Sequence, residues 1–413
     1  MNVTITPTKL KGTVTPPPSK SQAHRVLIAA ALADGECTVS NVAFSQDIGA
    51  TISCLEHLGA AFERDGGTVT VRGMGANAMS PLRRMAPPRL DCGESGSTLR
   101  FLIPIALAVR GGGIFSGRGR LMERPQKPYF DLFDEKGVFY EQKDGVLTVQ
   151  GLLPPGEYRL PGDVSSQFVT GLLYALPLLD GDSEIVLTSP LESAGYVAMT
   201  LQALEQYGVA VGHQNFRRFH ISGGQVYRPA DAAIIEPDWS QAGFWYAANG
   251  LGNTVNILGM DPASTQGDRV VAAHLEALSR PGDTDIDVSG CPDLVPPLAA
   301  MAAVRSGVTR LTNAARLRIK ESDRLAAVTQ TLNALGADVT EGPDSLTIRG
   351  KNSLAGGVKV DSFNDHRVAM MAAVAATQCV KPVTITGAQC VAKSYPNFWE
   401  DYEALGGLIQ KSE

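Results

Sequence analysis

The sequence predicts an α/β fold of two lobes, with helices inside and strands outside, on three observations. First, six stretches repeat one design: a Ser-, Asp- or basic-rich cluster, an Ala-rich apolar run, a Gly/polar turn and a β-branched strand. They open at SKSQAHR (Ser19–Arg25), ESGSTLR (Glu94–Arg100), SSQF (Ser165–Phe168), DWSQ (Asp238–Gln241), PDLV (Pro292–Val295) and NDHR (Asn364–Arg367). Their strands end near Asn41, Gly117, Ser189, Gly259, Asn313 and Gly387, at spacings of 76, 72, 70, 54 and 74 residues, as one supersecondary unit used six times would produce. Second, HLGAAFERDGGTVTVRG (57–73), EKGVFYEQKDGVLTVQG (135–151), QYGVAVGHQNFRRFHISG (206–223) and ALGADVTEGPDSLTIRG (334–350) share a plan. A helix ends at Gly59, Gly137, Gly208 or Gly336, where a left-handed cap favours Gly, and a hairpin of alternating strands such as Thr68–Val71 or Leu346–Arg349 follows. Third, the runs VLIAAALA, PPLAAMAAV and AMMAAVAA are apolar on nearly every face, so they belong in an interior. Each unit thus reads βαβαββ, and helices alternating with strands make the class α/β.

At 413 residues the chain exceeds one ordinary core. Six units divide into two lobes of three, 20–226 for one and 1–19 plus 227–413 for the other, with a boundary near the polar stretch Gly223 to Pro229. The triple proline Pro16 to Pro18 marks a stiff junction just before the first cluster. Apolar residues at 44% and charged residues at 19% describe a globular chain. The net charge of −6 argues against nucleic acid as a partner, because no basic excess is present to neutralise phosphates. Cations nevertheless recur inside the clusters, at Lys20, Arg25, Arg100, Arg124, Lys320, Arg324, Arg367 and Lys393, and an acidic chain that groups its cations suggests a small anionic ligand. No apolar run approaches a membrane span, and MNVTITPTKLKG has no apolar signal core, so a cytoplasmic location without membrane partners is expected. The six cysteines lack ligand spacing, which makes a metal site unexpected and suits a reducing compartment. Neither G-x-G-x-x-G after a strand nor a P-loop is present.

The clusters fall at helix starts, where free N–H groups and the macrodipole favour anions. In PPPSKSQAHR the prolines set the entry angle, Ser19 or Ser21 can cap, and Lys20 and Arg25 add charge. DCGESGSTLRF packs Gly and hydroxyl residues into a helix start, where Gly96 lets backbone approach a ligand. GRGRLMERP concentrates Arg118, Arg120 and Arg124, a set suited to capturing phosphate or carboxylate. GDVSSQF offers Ser165, Ser166 and Gln167 as neutral donors. Asp293 in CPDLVPP, taken alone, reads as an N-cap. RLRIKESDRL alternates Lys320, Glu321 and Arg324, and like charges four residues apart repel unless an anion sits between them. A carboxylate flanked by cations can be held ready for proton transfer. FNDHR and VAKSYPNF add Arg367 and Lys393. No nucleophile–base arrangement is apparent, so proton transfer on phosphorylated or carboxylated small substrates is favoured over covalent catalysis.

In the order PPPSKSQAHR, ESGSTLRFL, LMERP, SSQF, KESDRL, NDHRVAM and AKSYPNF, from about Lys9 to Tyr402, the chain resembles the 5-enolpyruvylshikimate-3-phosphate synthases of the enolpyruvyl transferase family. The resemblance implies a pair of inverse α/β-barrel lobes with the active site in the cleft between them, a monomer, and no metal or organic cofactor. It implies transfer of the enolpyruvyl group of phosphoenolpyruvate to the 5-hydroxyl of 3-phosphoshikimate, with release of phosphate, in aromatic amino acid biosynthesis. By motif position Lys20, Ser21, Arg25, Ser165, Ser166, Gln167, Ser193, Asp293 and Lys320 contact 3-phosphoshikimate. Lys20, Gly96, Arg124, Gln167, Arg324, Arg367 and Lys393 contact phosphoenolpyruvate. Asp293, Glu321 and Lys20 are the implied catalytic residues: Glu321 protonates the methylene carbon and later removes a proton, and Asp293 accepts the proton of the attacking hydroxyl. Some relatives carry Asn where this chain has Arg316, which is left out of the set. Two other readings are a UDP-N-acetylglucosamine enolpyruvyl transferase, disfavoured because GRGRLMERP holds no Cys, and a non-catalytic binder of phosphorylated metabolites, which has no need of Glu321 and Asp293 together.

Overall fold

The computed structural model describes residues 1–75 and 86–413. The chain forms two compact units, an inserted unit of Pro18–Glu236 and a terminal unit of Met1–Pro17 with Pro237–Glu413. Each has its own apolar core. Residues after Gly223 stay with the inserted unit because Ala233–Ile234 pairs in parallel with the strand Glu36–Ser40, and the Tyr227 hydroxyl donates to the Tyr174 carbonyl.

The inserted unit carries helices α1 (Lys20–Leu32), α2 (Gln46–Leu58), α3 (Gly96–Arg110), α4 (Lys127–Lys136), α5 (Ser166–Ala175) and α6 (Ala194–Gln206). Its three four-stranded sheets share one order: a parallel pair, then the two strands of an antiparallel hairpin. Arg89–Asp91 pairs in parallel with Gly112–Ser116, for example, and the hairpin Val146–Gln150 and Phe139–Lys143 follows. α1, α3 and α5 are buried along almost their whole length, whereas α2 and α4 keep an exposed face, as do the strands. Helices such as α3, with Leu99, Phe101, Leu102, Ile103 and Ile105 all hidden, therefore form the interior, against strand side chains such as Phe115, Leu147 and Val149. Each fully buried Leu, Ile or Phe contributes about 1.5–3 kcal/mol relative to exposure. α3 packs so closely on α5 that a Cβ at Gly171 would lie 2.5 Å from the Arg100 carbonyl. That carbonyl is the one Pro104 cannot bond within the helix, and the Tyr129 hydroxyl donates to it at 2.7 Å instead.

The terminal unit carries α7 (Trp239–Gly250), α8 (Val271–Ser279), α9 (Val295–Ala302), α10 (Arg324–Ala334), α11 (His366–Ala376) and α12 (Phe398–Ala404). Two four-stranded sheets repeat the order of a parallel pair followed by two antiparallel strands; in one of them the chain's first strand, Asn2–Thr6, sits between Val383–Thr386 and Leu408–Ser412. α9 and α11 are wholly buried. The stretch that opens at Asp238 departs from the six-fold plan. Among the described residues its strand Thr254–Ile257 pairs only with Lys11–Val14, and α8 passes through Arg280–Asp283 straight into the next parallel strand, Thr284–Asp287, without a hairpin. The spacing of 54 residues, short beside 70–76, is the imprint of that missing hairpin. All four glycines expected to end helices, Gly59, Gly137, Gly208 and Gly336, have positive φ.

Candidate active site

In the inserted unit, the expected residues gather at helix N-termini. Ser19 caps α1 by accepting the Gln22 N–H at 3.3 Å, and Lys20, the first helical residue, ion-pairs with Asp47 of α2 at 2.7 Å. One turn later, the Arg25 guanidinium donates to Thr200 Oγ1 at 2.9 Å, to the Tyr196 carbonyl at 3.1 Å and to the Ser21 carbonyl at 2.6 Å. It lies 5.2 Å from the centre of the Phe101 ring. Burial brings it down to about 10, still cationic at neutral pH. Thr200 and Tyr196 belong to α6, which begins after Ser193, a buried residue with φ +55°. Ser95 caps α3 through the Thr98 N–H, leaving the first-turn amides of Gly96 and Ser97 without helical partners. A Cβ on Gly96 would lie 2.8 Å from an Arg124 nitrogen and 3.5 Å from Gln167 Oε1, so this glycine keeps open a space where a guanidinium and an amide converge. Gln167 is held from both sides: Arg100 donates to its Oε1 at 2.8 Å, and its Nε2 donates to Ser97 Oγ at 3.0 Å. Ser165 caps α5, and Ser166 is buried in its first turn.

The three arginines of GRGRLMERP do not act as one set. Arg118 and Arg120 form solvent-exposed pairs with Asp91 and Glu123, at 3.1 and 3.9 Å, while Arg124 alone is buried beside Gly96. The reason is local: Arg124 follows the 3-10 turn Leu121–Glu123, whose Leu121 anchors it in the core.

In the terminal unit, one guanidinium organises the site. Arg324 opens α10 and is almost fully buried, with 1% of its side chain exposed. It reaches Asp293 at 2.9 Å, Glu321 at 2.7 Å and Asp365 at 3.0 Å. Asp293, in the 3-10 turn that leads into α9, also takes Arg367 at 3.1 Å and lies 3.7 Å from Lys320. Asp365 caps α11 through the Arg367 N–H and accepts from Ser322 Oγ. Lys393, buried in a 3-10 turn, donates to the Asn364 carbonyl at 2.6 Å. Arg316 donates to the Ser289 carbonyl at 2.6 Å. The structure thus brings Asp293, Lys320, Glu321, Arg324 and Arg367 into a single charge network, and Asp293 is a member of it rather than a helix cap.

Burial works to raise the Asp293 carboxyl, but Arg367, Lys320 and Arg324 outweigh it and hold the group well below the carboxylate range. Burial lowers the Lys320 ammonium against the pull of Asp293. Burial also lowers Arg324, yet Asp365, Glu321 and Asp293 together raise it. Asp268, the one buried residue of the 3-10 turn Gly267–Val270, goes the other way: burial and then the charge of Asp293 push it up to about 7, with Arg367 opposing. Its proton is retained in the folded chain at a pH where an unfolded aspartate is ionised, so unfolding releases a proton between about pH 4 and 7. Stability is expected to fall across that window as pH rises, by up to about 1.4 kcal/mol per pH unit. Denaturant unfolding of Asp268→Asn beside the parent, from pH 5 to 8, should show the variant gaining on the parent up to about pH 7 and levelling off above it. A constant difference across the range would remove this account of Asp268.

Asp47, Arg100, Tyr196, Thr200, Asp268 and Asp365 support these residues and were not in the expected set. Asp365 had a signal, as the capping position of NDHR, and Arg100 was one of the recurring cations; the others come from distant segments with no local pattern. Among the described residues, no group of three or more His, Cys, Asp or Glu is placed to hold a metal ion, and no helix is long and apolar enough to cross a membrane.

Comparison with known proteins identifies the family. The family model described as EPSP synthase (3-phosphoshikimate 1-carboxyvinyltransferase) matches residues 5–402. A 3-phosphoshikimate 1-carboxyvinyltransferase of Clostridium kluyveri is 46% identical over 426 residues, covering 99% of this chain and 98% of that protein. One from Clostridium perfringens is 44% identical, covering 99% of each. A solved EPSP synthase from Acinetobacter baumannii superposes with a TM-score of 0.80 at 25% identity, covering 100% of both chains.

Proposed function

Because the chain belongs to the EPSP synthase family, the 3-phosphoshikimate 1-carboxyvinyltransferases, we propose that the residues described above carry out one addition–elimination reaction. The chain transfers the enolpyruvyl group of phosphoenolpyruvate to the 5-hydroxyl of 3-phosphoshikimate and releases phosphate, a step of aromatic amino acid biosynthesis. Lys20, Ser21, Arg25, Ser165, Ser166, Gln167, Ser193, Asp293 and Lys320 bind 3-phosphoshikimate, and Lys20, Gly96, Arg124, Gln167, Arg324, Arg367 and Lys393 bind phosphoenolpyruvate. Asp293 takes the proton of the 5-hydroxyl as its oxygen bonds to C2 of phosphoenolpyruvate, while Glu321 delivers a proton to C3. The resulting tetrahedral ketal carries both phosphate and carboxylate, so fixed cations stabilise it. Glu321 then removes a proton from C3 as the C2–O bond to phosphate breaks, restoring the double bond. Lys20 supplies positive charge to the departing phosphate.

The observation that carries this reading is the pair of carboxylates, Asp293 and Glu321, gathered on the Arg324 guanidinium at 2.9 and 2.7 Å. A binder needs the cations but not two acids poised among them. The reading is of a monomer in the cytoplasm, and six free cysteines suit that compartment. The test is phosphate release from phosphoenolpyruvate with 3-phosphoshikimate, run beside UDP-N-acetylglucosamine as acceptor. Release with 3-phosphoshikimate alone is expected; binding of both substrates without release would overturn the reading.

A further inference from the structure

We propose that His24, Thr51, Thr98 and Ser95 form a directed hydrogen-bond relay that fixes the first turn of α3, with His24 as a positioning residue for the phosphoenolpyruvate contact at Gly96. The proposal rests on the assignment of Gly96 made above. His24 Nδ1 lies 2.8 Å from Thr51 Oγ1, Thr51 Oγ1 lies 2.6 Å from Thr98 Oγ1, and Thr98 Oγ1 donates to Ser95 Oγ at 2.8 Å. Ser95 Oγ also accepts the Thr98 N–H at 3.1 Å, the bond that caps α3. All four side chains are buried, at 0–1% exposure, so water does not substitute for any link.

The direction follows from counting protons. Thr98 spends its hydroxyl proton on Ser95, so it must accept from Thr51; Thr51 in turn must accept from His24. Nδ1 therefore carries the imidazole proton. His24 Nε2, buried and without a hydrogen-bond partner among the described residues, agrees: an idle lone pair there costs less than an orphaned N–H. The ring stands edge-on to Phe101, with centroids 6.3 Å apart. Burial, with Lys20 and Arg25 adding to it, keeps His24 neutral.

The relay joins three helices at one level. Lys20 and His24 are one turn apart on α1, as Asp47 and Thr51 are on α2, so Lys20–Asp47 and His24–Thr51 make two successive rungs between the helices. The upper rung continues through Thr98 to the cap of α3. The ammonium of Lys20 and the first-turn amides of Gly96 and Ser97 are thereby held in one frame.

Two measurements test this. In the intact protein with nitrogen-labelled histidine, the His24 resonances, identified by their loss in His24→Asn, should show a bare Nε2 and a protonated Nδ1 at pH 7.5. A proton on Nε2 would overturn the relay. In steady-state kinetics, Thr51→Val, which removes the central hydroxyl at constant volume, should raise KM for phosphoenolpyruvate about three- to tenfold, the worth of one buried hydrogen bond. KM for 3-phosphoshikimate should stay within about twofold, and Thr51→Ser, which keeps the hydroxyl, should restore phosphoenolpyruvate KM to within about twofold of the parent. Equal rises in both KM values, or no rescue by Ser, would reduce the relay to a packing feature and overturn the proposal. Gly96→Ala separates the two layers. If it leaves phosphoenolpyruvate KM unchanged, the Gly96 assignment fails and takes the positioning role with it, while the tautomer still decides whether the relay exists. If it raises KM and Thr51→Val does not, the relay fails and the assignment stands.

Discussion

Glu321→Gln is expected to lower turnover by about 10²–10⁴-fold, the range removed with a general acid–base group, while KM for both substrates changes little. The amide is nearly the shape of the carboxylate and keeps an oxygen to accept the Arg324 N–H, at 2.7 Å in the parent. Geometry around Arg324 is therefore retained, and what disappears is the ability to give a proton to C3 and take one back. Both halves of the reaction need that ability, so neither addition nor elimination is spared. The variant should also fail to exchange solvent deuterium into the C3 position of phosphoenolpyruvate in the presence of 3-phosphoshikimate, an exchange the parent should catalyse by reversing addition. Phosphate-release kinetics and mass analysis of recovered phosphoenolpyruvate measure the two effects separately. Parent-like turnover in this variant ends the role assigned to Glu321.

The helix starts were legible because their chemistry is local. Ser19, Ser95, Ser165, Asp238, Asp323 and Asp365 each cap the helix that follows by accepting a backbone N–H two or three residues on. Short-range pattern also exposed the buried helices, since α9 and α11 have no polar face to leave outside. What the sequence did not carry is convergence. Arg367 meets Asp293 across 74 residues, Arg324 meets Asp365 across 41, and Lys20 meets Asp47 across 27. Those pairings depend on which strand lies beside which, and nothing in the local composition distinguishes Arg124, beside Gly96, from Arg118 on the surface. Asp293 shows the limit most clearly: alone it has the look of a helix cap, and only the arrival of Lys320, Arg324 and Arg367 makes it a carboxylate held far into its ionised form. The short spacing of 54 residues was visible, but a gap in a repeat becomes a missing hairpin only when the neighbouring sheets supply the standard.

Arg324→Met is expected to destabilise the fold by about 3–5 kcal/mol at pH 7, besides weakening phosphoenolpyruvate binding, because breaking a buried ion pair leaves its partners uncompensated. Here one side chain has three partners. Asp365 is fully buried, and Asp293 and Glu321 expose only 18% and 17% of their side chains. Arg367 can still serve Asp293, and Ser322 and the Arg367 N–H still serve Asp365, so the loss does not reach three independent buried charges. Arg324→Lys keeps the charge but not the planar fork that reaches three carboxylates at once, and an intermediate loss is expected. The pH dependence gives the sharper test. Without Arg324 the buried carboxylates bind protons more readily in the folded chain than in the unfolded one, so protonation stabilises the variant relative to the parent. Its deficit should shrink as pH falls from 7 to 5 and widen again on return. Chemical denaturation of both chains across that range, with the Asp365→Asn/Arg324→Met double variant to recover part of the loss, measures the coupling directly. A pH-independent deficit, or parent stability in the single variant, would mean that Arg324 is a bystander among the acids rather than the charge that lets them share one interior.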